Sequence, residues 1–308
     1  MKIAIIGLGY WGEIILKTLK NLKGIDYLCV VDKNPDQKKK AKGYKIDFFN
    51  DINQALKQVE CVIIATWENT HYWITKKCLL KKKHVLVEKP LALSFKQAQE
   101  LVKLAKKNNS TLMVDSTFMF DKSFLLLKER IKKGQIGELQ QIDSFRFSCN
   151  VSRPWSNVVM DLLPHDIAIF YALLKKEPQS VKAVNFSRLF NKQIDNAQIA
   201  FGFGSVIANS FLSWTTPLNR REMIFYGDRG VFVWQKEDAD TDVILRFKYR
   251  PKREVDLKER IIMKAKKKTL ENALEEFFQS IRNRRQPLTS GEEVLPEVKI
   301  LEKVLNLI

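Results

Sequence analysis

Five short apolar runs punctuate the first third of the chain, at residues 3–6, 27–31, 62–65, 85–87 and 112–114. Each is nearly continuous rather than alternating, which is the pattern of strands buried on both faces of a parallel sheet. Between them the apolar positions follow the helical period, over 13–22, 70–80 and 94–107, with Ser94 placed as an N-cap. Strand and helix in alternation predict an α/β unit built on a doubly wound parallel sheet.

The texture changes near residue 120. A helix is predicted over 122–133, a strand over 139–149 and a helix over 158–174. Six strands then follow with no helix between them, at 181–189, 198–203, 206–214, 222–226, 231–234 and 243–247, before two closing helices at 270–284 and 292–307. Strands in direct succession pair most simply as an open, mainly antiparallel sheet, so the second part reads as α+β. The expected domains are 1–120 for dinucleotide binding and 121–308 for substrate binding and oligomerisation. No internal repeat is visible.

Composition adds a strong charge to this picture. The 308 residues carry 53 Lys+Arg against 35 Asp+Glu, a formal charge of +18. Net charge speaks to solubility and steering rather than to a named partner. The densest basic stretch, 246–268, has eleven Lys or Arg against three acids. Only Phe247 and Tyr249 could stack on bases there, and no nucleic-acid module accompanies them, so a lysine-protected sheet edge is the reading preferred to nucleic-acid binding. No apolar run approaches the roughly 18 residues of a membrane span. The apolar start at 3–6 mimics a secretion signal, but Glu13 and Lys17 interrupt it and no small-residue cleavage site follows. Cys29, Cys61, Cys78 and Cys149 lie scattered in apolar surroundings, which predicts buried reduced thiols, a cytoplasmic location and no metal site.

The chemistry begins at Gly7, Gly9 and Gly12, three of only twelve glycines, spaced G-x-G-x-x-G directly after the first strand. That spacing allows a tight turn and close approach of backbone N–H groups to a pyrophosphate at a helix N-terminus. Asp32 ends the second strand, where a carboxylate binds ribose hydroxyls and repels a 2′-phosphate; NAD is therefore expected in preference to NADP, with Lys33 beside it softening the choice. Glu88-Lys89-Pro90 follows the strand at 85–87 and places Lys89 at the ligand-binding edge of a parallel sheet, with a cis bond at Pro90 compatible with the sequence.

These segments, with Ala65-Thr66, His71, His84-Val85, Leu91-Ala92, Gly134 to Gly137 and Asp161-x-x-x-His165-Asp166, occur in an order that closely resembles the Gfo/Idh/MocA oxidoreductase family. The resemblance runs over nearly the whole chain. It implies a Rossmann domain followed by an α+β domain whose open sheet makes oligomer contacts, and NAD(P)-dependent hydride transfer at a secondary alcohol of a sugar, cyclitol or nucleotide sugar. It matches Lys89 to the active-site lysine, His165 to the catalytic histidine and Asp161 to the acid beside them. It also implies cofactor contacts from Gly7, Gly9, Tyr10, Trp11, Gly12, Asp32, Lys33, Thr66, Trp67, His71, Glu88 and Lys89. Substrate contacts are expected from Lys89, Phe118, Arg153, Asp161, His165 and Arg221.

The residue chemistry agrees with that assignment. Oxidising a carbinol needs a base for the hydroxyl proton, and histidine titrates in the useful range. Asp161 and His165 are four apart, on one face of a helix, so the carboxylate can orient the imidazole. Lys89 as ammonium suits a developing alkoxide. The chain departs from the family at Trp67, where proline is usual, and at Thr117 to Phe120, where an arginine is often found. Pro164 implies a kink or a late start of the helix that carries the Asp161 and His165 pair.

Thr117-Phe118, the segment from Asp161 to Asp166, and Trp214-x-x-Pro217-x-x-x-Arg221 resemble the branch that includes 3-dehydrogenases of UDP-N-acetyl sugars. That likeness gives Arg146, Arg153, Arg220 and Arg221 a use as guanidinium donors to a diphosphate. The expected partners are a sugar or nucleotide sugar and further copies of the chain, as a homodimer or homotetramer, with no nucleic acid and no membrane. Two alternatives stand beside the leading function: a non-catalytic sensor of dinucleotide or sugar, and a free sugar or inositol dehydrogenase.

Overall fold

The computed structural model describes residues 1–148, 156–188, 193–236, 243–249, 258–265 and 269–308. They form two compact units, Met1–Thr117 with Leu270–Lys299, and Phe118–Thr269 with Ile300–Ile308.

In the first unit, strands β1 (Lys2–Ile6), β2 (Tyr27–Val31), β3 (Asp47–Phe49), β4 (Cys61–Ile64), β5 (His84–Glu88) and β6 (Leu112–Asp115) form one sheet in the order β3-β2-β1-β4-β5-β6. All five pairings are parallel. The order reverses between β1 and β4, the switch point at which open sheets of this kind bind ligands. The helices are α1 (Tyr10–Asn21), α2 (Gln37–Gly43), α3 (Ile52–Leu56), α4 (His71–Leu80) and α5 (Phe95–Lys107). Ala4, Ile6, Val62, Ile64, Val85, Val87, Leu112 and Val114 point from one sheet face into an apolar cluster completed by α4 and α5. Ser94 stands at the N-cap of α5, although its hydroxyl makes no capping bond.

Helix α8 (Thr269–Arg282) begins the chain's return to this unit. The loop after it is stitched to β6: Val114 N donates to Thr289 O at 2.9 Å, and Thr289 Oγ1 donates to Val114 O at 2.6 Å.

The second unit holds an eight-stranded sheet. Its strands are β7 (Leu139–Phe147), β8 (Ser180–Phe186), β9 (Asn196–Phe203), β10 (Val206–Ser213), β11 (Arg220–Gly227), β12 (Val231–Lys236), β13 (Val243–Tyr249) and β14 (Lys258–Ala265). They run in the order β14-β13-β12-β11-β7-β10-β9-β8, antiparallel except for β7 with β10. The fold is thus an α/β Rossmann unit joined to an α+β unit with an open, mainly antiparallel sheet, as expected. Strand β14, within the basic stretch, is one edge of that sheet. Helix α6 (Lys122–Lys132) is capped by Asp121, which accepts from Ser123 N at 2.8 Å.

Helix α7 (Val158–Leu174) covers one sheet face, with Phe170 edge-on to Phe201 at 5.8 Å. Asn157 caps it by accepting from Met160 N at 2.9 Å. Pro164 lies inside this helix, which therefore starts well before the proline. The ring removes one N–H donor, so the Met160 carbonyl loses its usual helical partner, while the buried flanking side chains hold the helix together.

The opposite sheet face is apolar in part. Val184 and Phe186 on β8 and Ile207 on β10 are half exposed or more, and Phe145 stacks on Phe211 at 5.0 Å beside them. The strand registers place all five side chains on the same face. No helix among the described residues is long and apolar enough to cross a membrane.

Candidate active site

The glycine turn follows β1 because the strand ends at Ile6 and the chain must bend at once into α1. Gly7 takes a φ of +94°, and a Cβ there would lie 2.6 Å from the carbonyl oxygen of Ala65. A Cβ on Gly12 would collide with the Gly7 carbonyl, so loop and helix can pack this closely only without side chains. Gly9 differs, since a Cβ there would meet nothing within 4 Å. It is also the N-cap of α1 and supplies no capping side chain, leaving the first-turn N–H groups without a side-chain cap. A tight turn, an open approach and uncapped donors suit a pyrophosphate, so the residues present fit a dinucleotide. Tyr10 and Trp11 stack on each other at 6.4 Å at the helix start, and both are exposed.

Asp32, just beyond β2, accepts from Leu8 N at 2.7 Å through Oδ2 and from Asn34 N at 2.8 Å through Oδ1. It therefore ties the glycine loop to the end of β2, and each oxygen keeps a further lone pair for an outside donor. Lys33 is exposed beside it. After β4, Thr66 shares a 2.7 Å hydroxyl contact with Thr70, and Trp67 is exposed.

His71, the first residue of α4, is buried. Its Nδ1 lies 2.8 Å from Pro90 O and its Nε2 lies 3.1 Å from Thr66 O. The imidazole thus spans the loop after β4 and the segment holding Lys89, whose bond to Pro90 is cis. Burial pushes the His71 pKa below its ordinary value, against the two carbonyl contacts. Glu88 is buried at the end of β5, in register with Asp115 of β6.

In the second unit, Asp161 and His165 lie one turn apart on α7. The fully buried Trp214 donates from Nε1 to Asp161 Oδ2 at 3.3 Å. Trp214 is itself fixed through its backbone, N donating to Asp195 O at 2.9 Å, while Val158 N at the start of α7 donates to Ile194 O at 3.0 Å. His165 meets the edge of Phe118 at 5.1 Å. Phe118 also meets Trp234 at 5.5 Å and carries the Arg146 guanidinium over its ring at 5.0 Å.

Arg146 is committed within the fold. Its Nε donates to the fully buried Asp166 at 2.5 Å, and Ser144 Oγ donates to the same oxygen at 2.8 Å. Removing one partner of such a pair would strand a buried charge at a cost of about 3–5 kcal/mol. Arg220 likewise pairs with Glu222 and lies 3.9 Å over the ring of Phe145. Arg221 sits on β11 in register with Arg146. Arg153 and Cys149 lie outside the described residues.

Sequence reasoning passed over Asp115 and the roles of Trp214 and Asp166 as partners. Asp115 was detectable as an acid at the end of an apolar run, the same position that Glu88 holds on its own strand. The three remaining cysteines are buried, and burial pushes each thiol up to about 12. They are inert under ordinary conditions.

Residues 1–116 match the model of an oxidoreductase family with an NAD-binding Rossmann fold, and residues 124–233 match the Gfo/Idh/MocA C-terminal domain. An uncharacterised oxidoreductase of Schizosaccharomyces pombe is 38% identical over 116 residues, covering 35% of this chain and 31% of the relative. The myo-inositol 2-dehydrogenase of Thermotoga maritima is 26% identical over 207 residues, covering 64% and 61%. The chain thus spans about one third to three fifths of the length of these curated relatives. Among solved structures, UDP-N-acetylglucosamine 3-dehydrogenase from Acidithiobacillus ferrooxidans superposes with a TM-score of 0.86 at 20% identity, over 100% of this chain and 97% of that one. At that identity the likeness speaks for the fold alone.

Proposed function

The chain belongs to the Gfo/Idh/MocA oxidoreductase family, and from that premise we propose that it is an NAD-dependent dehydrogenase acting on a secondary alcohol of a sugar or nucleotide sugar. The observation that carries the proposal is the glycine turn, closed to side chains at Gly7 and Gly12 and open at Gly9, at the switch point of a parallel sheet.

Gly7, Gly9, Tyr10, Trp11 and Gly12 hold the pyrophosphate, and Asp32, with Lys33 beside it, meets the ribose. Thr66, Trp67 and Glu88 border the nicotinamide end, and His71 supports that border from behind through its two carbonyl contacts. Bound there, the nicotinamide supplies a hydride acceptor at C4. His165 takes the hydroxyl proton as hydride leaves the carbinol, and Lys89 stabilises the developing alkoxide. Asp161, held by Trp214, orients His165. Phe118 shapes the wall on which His165 rests, while Arg153 and Arg221 are assigned to the substrate, as donors to a diphosphate when one is present. The nucleotide-sugar assignment takes support from the named activity of the Acidithiobacillus neighbour, and the inositol alternative from the Thermotoga relative.

The test is NAD binding by calorimetry followed by an absorbance screen at the nicotinamide band against UDP-sugars, free sugars and cyclitols. Turnover of UDP-N-acetyl sugars above the other classes is the expected result. NAD binding without turnover of any class would favour the sensor reading.

A further inference from the structure

Glu88 and Asp115 end adjacent parallel strands and stand opposite each other in the β5 and β6 register. Paired positions on neighbouring strands project from the same sheet face. Val87 and Val114, one residue earlier, join the cluster under α4 and α5, so the two acids project from the other face. Both are buried. Strands about 4.8 Å apart bring two such side chains within reach of each other.

As two carboxylates they would be acceptors only, repelling one another out of water. A proton on either one supplies the missing donor. Glu88 Oε1 is buried and receives no hydrogen bond from the described residues. Burial first, then the Asp115 charge, push the Glu88 carboxyl well above the ordinary carboxylate range, while the charge and backbone N–H of Lys89 act against that rise. The Lys89 charge also bears on His71 of α4, which senses Glu68 as well.

We propose that Glu88 and Asp115 hold one proton between them, and that the single negative charge left on the pair keeps the adjacent Lys89 an ammonium ion. The pair is a positioning device for charge: fully ionised it would be self-repelling, and fully protonated it would leave Lys89 without this counter-charge. The role of the Lys89 ammonium rests on the dehydrogenase reading; the shared proton does not.

The first experiment is a ¹³C-carboxyl NMR titration of the ligand-free protein, with Glu88→Gln and Asp115→Asn assigning the two signals. The pair is expected to lose its protons in two separate steps, with one carboxyl still protonated at pH 7. Ionisation of both by pH 5 would overturn the shared proton. The second experiment follows the Lys89 side-chain nitrogen by ¹⁵N NMR, assigned with Lys89→Arg. Each single amide variant keeps one carboxylate, so the Lys89 titration should stay within about 0.3 unit of wild type, while the double variant should lower it by about one unit. A full shift in either single variant, or none in the double, would overturn the charge role. Should the double amide fail to fold, the apolar pair Glu88→Leu with Asp115→Leu serves the same comparison. Neither readout uses substrate, so a wrong sugar assignment leaves both standing, and loss of the shared proton leaves the dehydrogenase reading untouched.

Discussion

Trp214 donates its indole N–H to Asp161 Oδ2 at 3.3 Å, so the acid one helical turn before His165 is fixed by a side chain from beyond the end of β10. In the proposed mechanism Asp161 orients His165, and this tether lets the parts of that unit be separated by mutation. Trp214→Phe keeps most of the buried ring and deletes the donor. It should lower kcat about tenfold with little change in NAD affinity, corresponding to one hydrogen bond to a charged group. Steady-state kinetics with a calorimetric Kd for NAD decide it; loss of NAD binding in step with kcat would mean that the fold, not the tether, had failed.

The same unit predicts non-additivity. His165→Ala should cost about 10² to 10⁴ in kcat and flatten the acidic limb of the pH profile. Asp161→Asn should cost less, and the double variant should be no slower than His165→Ala alone. Independent, multiplying losses would show that Asp161 does not act through His165.

Much of this was readable from the chain. Five of the six strands of the first unit announced themselves because burial on both faces leaves a continuous apolar run, as at Cys61–Ile64. Residues 37–56 did not, since α2 is Gln-Lys-Lys-Lys-Ala-Lys-Gly with only Ala41 buried and β3 has three residues. The glycine turn was legible because its geometry is local. The links of Trp214 to Asp161, of Arg146 to Asp166 and of Thr289 to Val114 join residues 53, 20 and 175 positions apart, and no local pattern encodes them.

Asp32 anchors Leu8 N and is proposed to meet the ribose, and substitution can divide the two. Asp32→Ala removes both the acceptor for the ribose and the anchor for Leu8 N, so NAD should weaken by about 10- to 100-fold, and NADP far less. Asp32→Asn keeps an oxygen for Leu8 N and loses the charge that disfavours a 2′-phosphate. It should narrow the preference for NAD while retaining more affinity than Asp32→Ala. Wild-type protein that binds NADP more tightly than NAD would refute the reading of this residue.

Glu13 on α1 gathers Lys40, Tyr44 and Lys17 at 2.8, 2.6 and 2.9 Å. Its bonds to Lys40, then to Tyr44 and Lys17, lower its carboxyl from 4.5 to about 2. The folded state therefore holds the proton less tightly than the unfolded chain. The stabilisation is complete above pH 4.5 and is lost as pH falls from 4.5 toward 2. Glu13→Gln should reduce the slope of denaturant stability against pH in that window and leave no new slope above it. The effect should shrink in high salt, because the cluster is only partly buried and Lys17 is exposed.

The sheet face carrying Val184, Phe186 and Ile207 predicts self-association, since exposed apolar side chains of this size on one face mark contact surfaces. The expected state is a homodimer or homotetramer in light scattering at micromolar concentration. Val184→Lys with Ile207→Lys should shift it to monomer without loss of helical or strand signal. A monomeric wild type at that concentration would count against the surface.

Lys89 gives the test that separates enzyme from sensor. It follows β5 at the ligand edge of the sheet, and its bond to Pro90 lies beside the carbonyl that His71 contacts. An electrostatic donor to an alkoxide contributes only as charge develops, so Lys89→Ala should lower kcat by about 10² to 10³ and barely change NAD affinity. Lys89→Arg keeps the positive charge but spreads it over a wider planar group, and should recover part of the loss. Near-normal turnover by Lys89→Ala on any substrate that the wild type oxidises would remove the catalytic assignment, whereas a loss confined to NAD affinity would make Lys89 a cofactor contact alone.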